Sequence, residues 1–193
     1  MQIIATLFAG APRLDGWEAR PFWAGVERGP GPRDRRDTYE REVAFESPGP
    51  PELEGPFRRL AAEILAYRIF PARWISPVLR RAPVETGDTV GILYHAGPGV
   101  DFFFAARVVK RFDERDGSAW KAGFTYRTLR GHPELGEETF AVEKDLATGK
   151  ISVALRSWSR PGTLLARIFA PIVRIAQVRA SHAALGQLAA MAR

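Results

Sequence analysis

One histidine and three glutamates fall within seven residues of this chain: His132, Glu134, Glu137 and Glu138, in the run GHPELGEE. An imidazole beside carboxylates is raw material for general acid–base chemistry, because neighbouring charge moves both kinds of group toward neutral pKa values. The same groups are nitrogen and oxygen ligands for a divalent cation. The spacing argues against a single site. Pro133 follows the histidine, and no helical H-E-x-x-H pattern is present. Glu137 and Glu138 are adjacent, so on a strand they point to opposite faces. The loop also works as a turn: Gly131 and Gly136 allow unusual backbone angles and Pro133 restricts the chain. A pair between Glu137 or Glu138 and Arg127, Arg130 or Arg156 on adjacent strands would fix a hairpin register. Three readings stand side by side: a hairpin and rim, polar contacts to a ligand at a cavity mouth, or metal binding or catalysis.

Other polar candidates carry less. His95 precedes Gly97-Pro98-Gly99 and reads as a surface turn, and His182 on the last helix reads as exposed or as a partner to a nearby group. Ser157 and Ser159 flank Trp158 without the G-x-S-x-G context of a nucleophile. Gly29-Pro30-Gly31-Pro32 lacks the strand and helix of a nucleotide-binding loop. No cofactor and no metal is therefore expected.

The elements that must position these residues follow from periodicity and turn chemistry. QIIATLF reads as a short strand and residues 11–36, rich in Pro, Gly and Arg, as an extended loop. In TYEREVAFE the apolar Tyr39, Val43 and Phe45 alternate with glutamates, a half-buried strand. From about Glu52 to Ile69 the apolar residues recur three or four apart, a helix with early acids and late arginines. Pro71 ends it, and ARWISPVLRRAP reads as a shorter helical turn. Five strands then follow, separated by short turns such as Asp116-Gly117 and Thr148-Gly149, which suit an antiparallel meander. A long helical segment closes the chain, Thr163 to about Ala192. Its stripe runs through Leu164, Leu165, Ile168, Phe169 and Ile172 to Ile175, Val178, Leu185 and Leu188, and a kink is expected at Pro171.

A curved antiparallel sheet with one apolar face must cover it, and the last helix has the length and the stripe to do so. The expected class is α+β, a meander wrapped around a long C-terminal helix, the helix-grip arrangement of START-like proteins. Alternation puts Phe102, Phe104, Ala106, Val108 and Phe112 on one face of the second meander strand. It puts Trp120, Ala122, Phe124 and Tyr126 on one face of the third, and Ile151, Val153 and Leu155 on one face of the fifth. These residues either fill a core or line a pocket, and periodicity is the same for both. In the second case Phe102, Phe104, Trp120, Phe124 and Tyr126 are the ligand-binding set, with His132 and Glu137 at the mouth. The partner is then a small apolar or amphipathic molecule.

Bulk properties bound the rest. The 193 residues suit a single domain, 46% are hydrophobic and 26% charged, and there is no cysteine. The start lacks the basic region of a signal peptide, no apolar run is long enough for a membrane span, and the cytoplasm is the expected compartment. Net charge is +6, but the arginines are scattered and no aromatic–basic platform is evident, so no specific nucleic acid is expected. Arg160, Arg167 and Arg174 repeat every seven residues and offer a line for an anionic or protein surface.

The most specific pattern is a set of short motifs. They are Phe124, Tyr126, Thr128 and Leu129; then Gly131, His132 and Pro133; then Gly136, Glu137, Glu138 and Phe140. Ser159 and Pro161 follow, and then Pro171, Arg174 and Gln177 on the last helix. Together with ILAYRIFPARWISP, these make the chain, over roughly residues 38 to 190, resemble DUF nineteen-ninety, a domain-of-unknown-function family of bacterial and plant proteins. The resemblance implies a domain without naming a substrate, and it adds weight to the GHPELGEE loop. One departure is visible: where the family leads one to expect Arg-Tyr late in the last helix, this chain has Arg179-Ala180-Ser181. The readings to be decided are thus a ligand-binding domain, an enzyme for a small hydrophobic substrate using His132 with Glu134 or Glu137, and an interaction module.

Overall fold

Five consecutive strands joined by short turns form the centre of the molecule. A computed structural model describes residues 2–5, 12–97, 99–162 and 170–192. Strand β1 (Gln2–Ala5) and a short 3-10 helix (Val26–Arg28) precede β2 (Arg35–Phe45), helix α1 (Pro56–Leu65) and β3 (Ile75–Val78). The meander is β4 (Thr89–Gly97), β5 (Val100–Asp116), β6 (Ala119–Thr128), β7 (Glu134–Asp145) and β8 (Lys150–Pro161), and α2 (Ala170–Met191) follows. All pairings are antiparallel, in the order β2-β8-β7-β6-β5-β4-β3, with β1 alongside the start of β5. Both helices lie on one face of this curved sheet, α1 against β6 and β7 and α2 against β2 and β8. This is the helix-grip arrangement that the element order implies.

Several expectations are corrected. The segment read as a helical turn is the edge strand β3, paired to β4 from Ile75↔Tyr94 to Val78↔Gly91. Pro77 is tolerated because an edge strand needs only one side of its backbone paired. Helix α1 is shorter than its periodicity suggests. Pro56 sets its first turn, and its end is fixed by Tyr67, buried in the left-handed region at φ 56°. The acid at its N-terminus comes from the residue just after β2: Glu46 accepts the Phe57 N–H at 2.9 Å.

Residues 12–34 are a packed cover rather than an extended loop, since Leu14, Trp17 and Val26 are all buried. Trp17 meets Phe103 edge-on, centroids 6.1 Å apart, on the outer face of β5. Along β5 a bulge between Val108 and Lys110 shifts the alternation by one residue. Phe112 therefore leaves the face it was expected to share with Phe104, and pairs instead with Gly123. In α2 the buried line is Ala180, Ala184, Leu185 and Leu188, while Ile175, expected on the stripe, is 55% exposed. The first part of the expected stripe, Leu164 to Phe169, and Arg167 lie outside the described residues, and the expected kink at Pro171 falls at their boundary.

Candidate functional site

The space between sheet and helices is divided. One half is solid: Phe57, Leu60 and Ile64 of α1 and Leu185 and Leu188 of α2 pack on Phe124, Phe140 and Val153 of the sheet. The other half, under the N-terminal part of α2, contains a cavity of about 680 Å³. Its apolar wall is Phe70, Ile75, Ile92, Tyr94, Phe102 and Phe104. Its polar end is made by Asp37, Tyr67, Tyr126, Glu138, Ser157 and Ser159, with Arg174 and Gln177 of α2 above.

Five of the seven residues picked out from the sequence border this cavity: Phe102, Phe104, Tyr126, His132 and Glu137. Phe124 does not; it has no exposure and packs at a tilt against Phe140, centroids 5.4 Å apart, inside the solid half. Trp120 lies further along the same strand, with its Nε1–H donated to Asp113 at 2.7 Å and Arg58 over its ring.

His132 both lines the cavity and pins the turn. Its Nδ1 lies 2.8 Å from the Glu134 carbonyl oxygen and 3.1 Å from the Glu134 N–H. Phe104 meets its ring edge-on at 4.5 Å. Burial pushes its pKa down to about 3, so the ring is neutral and a weak base. The two glycines of the loop differ. Gly131 has φ 102°, which favours glycine. Gly136 sits within β7, where an added Cβ would strike the carbonyl oxygen of Trp158.

Glu137 and Glu138 separate as adjacent strand residues must. Glu137 pairs with Arg127, its direct cross-strand neighbour, at 2.6 Å. Glu138 turns inward and accepts the Tyr126 phenol at 2.6 Å. The Tyr67 phenol is electrostatically coupled to that of Tyr126, so polar groups from the end of α1, β6 and β7 meet in the interior. Burial, with Glu134 and Asp37 nearby, raises the Glu138 pKa to about 7, against the lowering effect of the Tyr126 bond. Burial also pushes both phenols well above their usual value. Glu138 and Tyr67 were missed as site residues, although the split of the two glutamates across the sheet was legible. The missing signal was which of them turns inward.

The loop and α2 are tied together at the cavity rim. Arg174 makes a bidentate pair with Asp37 at 2.6 and 2.7 Å. Gln177 accepts from Arg35 at 3.3 Å and donates to Glu134, which burial holds above the usual carboxylate range. Arg160 pairs with Asp34 at 2.9 Å. Two members of the arginine line are thus engaged within the protein.

His95 is not free in a turn. It stands between Ser76 Oγ at Nε2, 2.9 Å, and Asp101 at Nδ1, 3.0 Å. The flanking Ile75, Tyr94 and Phe102 line the cavity, so this relay lies on the opposite, outer face. Among the described residues no group of three or more His, Asp or Glu side chains could hold a metal ion, and no helix is long and apolar enough to cross a membrane.

Sheet, gripped helix and the cavity between them define a helix-grip domain of the α+β class. The chain belongs to the family described as "Domain of unknown function (DUF1990)", whose pattern matches residues 24–187. A "UPF0548 protein" of Dictyostelium discoideum is 31% identical over 128 residues, 63% of this chain and 59% of that protein. One of Deinococcus radiodurans is 36% identical over 103 residues, half of each chain. This chain thus spans only 50 to 59% of the length of these relatives. Among solved structures, hypothetical protein jhp0584 of Helicobacter pylori superposes with a TM-score of 0.54 at 11% identity, covering 91% of this chain and 96% of that one. Norcoclaurine synthase from Thalictrum flavum, solved with dopamine and hydroxybenzaldehyde, superposes at 0.47 and 10% identity, over 83% of this chain and 88% of that one.

Proposed function

We propose that this domain binds a small amphipathic ligand between its sheet and its C-terminal helix. The supporting observation is the cavity itself: about 680 Å³, walled by aromatic and aliphatic side chains, with polar groups gathered at one end. Specific small-molecule sites have this size and this division of labour. Phe102, Phe104 and Tyr126 form its walls in this reading, with His132 and Glu137 at its border.

The reading that uses His132 as a base with Glu134 or Glu137 has less support. His132 is neutral with its Nδ1 held by the backbone of Glu134, and Glu137 is committed to Arg127. The test is native mass spectrometry of the purified chain together with organic extraction. A bound small molecule is expected, and Ala176→Phe, which projects into the cavity from α2, should displace it while the fold is kept. Extracts without any small molecule, and no uptake of an added apolar dye, would overturn the reading.

A further inference from the structure

Of the described carboxylates that border the cavity, Glu138 alone has no cationic partner. Asp37 has Arg174, Glu137 has Arg127, and Glu134 has Arg35 at 3.8 Å. Glu138 has only the Tyr126 phenol on Oε2, and among the described residues its Oε1 accepts nothing. The groups around it come from every neighbouring element. They are Asp37 of β2, Tyr126 of β6, His132 and Glu134 before and within β7, Tyr67 after α1 and Arg174 of α2. With Asp37 and Glu134 offset by Arg174 and Arg35, and His132 neutral, one negative charge is left over when Glu138 is ionised.

A buried charge calls for a paired, hydrogen-bonded counter-charge. A carboxylate head would add repulsion, and a hydroxyl would supply one donor without charge. An ammonium supplies three donors and neutralises the site. We propose that the cavity takes an amphipathic amine, its apolar body along Phe70, Phe102 and Phe104 and its ammonium head on Oε1 of Glu138. This rests on the cavity being a ligand site. The Glu138 pKa of about 7 adds a pH dependence: below it, an ammonium must displace a proton to bind.

Decylamine, 1-decanol and decanoate share one chain and differ only in the head, and their binding to the full chain can be compared by titration calorimetry. At pH 8.5 decylamine should bind about 10- to 100-fold more tightly than decanol, as charge-assisted hydrogen bonds predict, and decanoate least. Between pH 8.5 and 5.5 decylamine affinity should fall about thirtyfold while decanol affinity stays level. Glu138→Gln should abolish the amine preference and keep decanol binding, and Glu54→Gln, the same charge change before α1, should alter nothing. The wild-type pH series tests the idea without any variant. Decanol bound as tightly as decylamine at pH 8.5, or an amine preference that survives Glu138→Gln, overturns this inference and leaves the cavity reading intact. Failure of all three probes to bind the folded chain overturns both.

Discussion

Lys144 reaches Glu46 at 2.7 Å, and neither side chain has any exposure to solvent. The pair ties β7 to the residue that follows β2, and its carboxylate does more than balance charge. One oxygen accepts the Phe57 N–H at the start of α1, and the other accepts the Glu52 N–H and Lys144. Lys144 also donates to the Pro50 carbonyl. The ion pair is thus the anchor by which the sheet holds the first turn of a helix.

Removing one partner strands the other. Lys144→Met or Glu46→Gln should each destabilise the fold by about 3–5 kcal/mol, measured by chemical denaturation. The double substitution should cost clearly less than the sum of the two. Full additivity would mean that the two groups act separately.

Acid sensitivity should trace to His132. Its folded pKa of about 3 lies below the ordinary 6.5, so the unfolded chain binds the extra proton. The stability this contributes is complete above pH 6.5 and is lost as pH falls toward 3, on the order of 4 kcal/mol. Denaturation midpoints between pH 6.5 and 3 should therefore fall less steeply in His132→Gln than in the wild type. Parallel slopes would show that the ring already titrates freely.

Glu138 should act with the opposite sign. Its folded pKa of about 7 lies above the ordinary 4.5, so the folded chain binds the extra proton. Stability of the ligand-free protein should decline as pH rises from 4.5 through 7, by on the order of 3 kcal/mol, and Glu138→Gln should remove much of that decline. Between pH 4.5 and 6.5 the two residues oppose each other. The Glu138 effect is thus read as the difference in slope between wild type and Glu138→Gln from pH 4.5 to 7, in which the His132 contribution cancels.

The Asp37–Arg174 pair should govern the N-terminal half of α2. Asp37→Asn breaks a bidentate, partly buried contact and should cost about 1–2 kcal/mol. Hydrogen exchange should quicken in the turns around Arg174 and Gln177 and stay unchanged near Leu188. A uniform change along α2 would mean that the helix has no separately anchored end.

Much of the architecture was legible because strand length and turn chemistry are local. The Asp116-Gly117 and Thr148-Gly149 turns delimit their strands directly, and the tie between Glu137 and Arg127 follows from adjacency across a hairpin. What was not legible depends on contacts far apart in sequence. Phe124 and Tyr126 have the same alternation, yet α1 and α2 fill the space over Phe124 while Tyr126 borders open volume. Nothing within β6 separates them. The bulge that turns Phe112 to the other face leaves no mark in composition, and ISPV does not read as a strand because a proline fits one only at an edge. Gln177 is singled out only through family resemblance, and the arginine spacing that marks Arg174 points to an outside surface rather than to Asp37. Their partners Asp37 and Glu134 are 137 and 43 residues away, which explains why no local pattern announces them.

Pro77 also bears on how the molecule behaves in crowded solution. Among the described residues β3 and β2 end the main path of the sheet, with β1 off it beside β5. A margin with free amide groups is a template on which another chain can add a strand. At one margin the strand is only four residues long and carries a proline, which offers no N–H to a newcomer. At the other, Arg35, Arg36, Asp37, Glu40, Arg41 and Glu42 crowd the strand with charge of both signs, and charged side chains along an edge oppose the addition of another strand. The main path of the sheet is therefore built to stop growing at both ends.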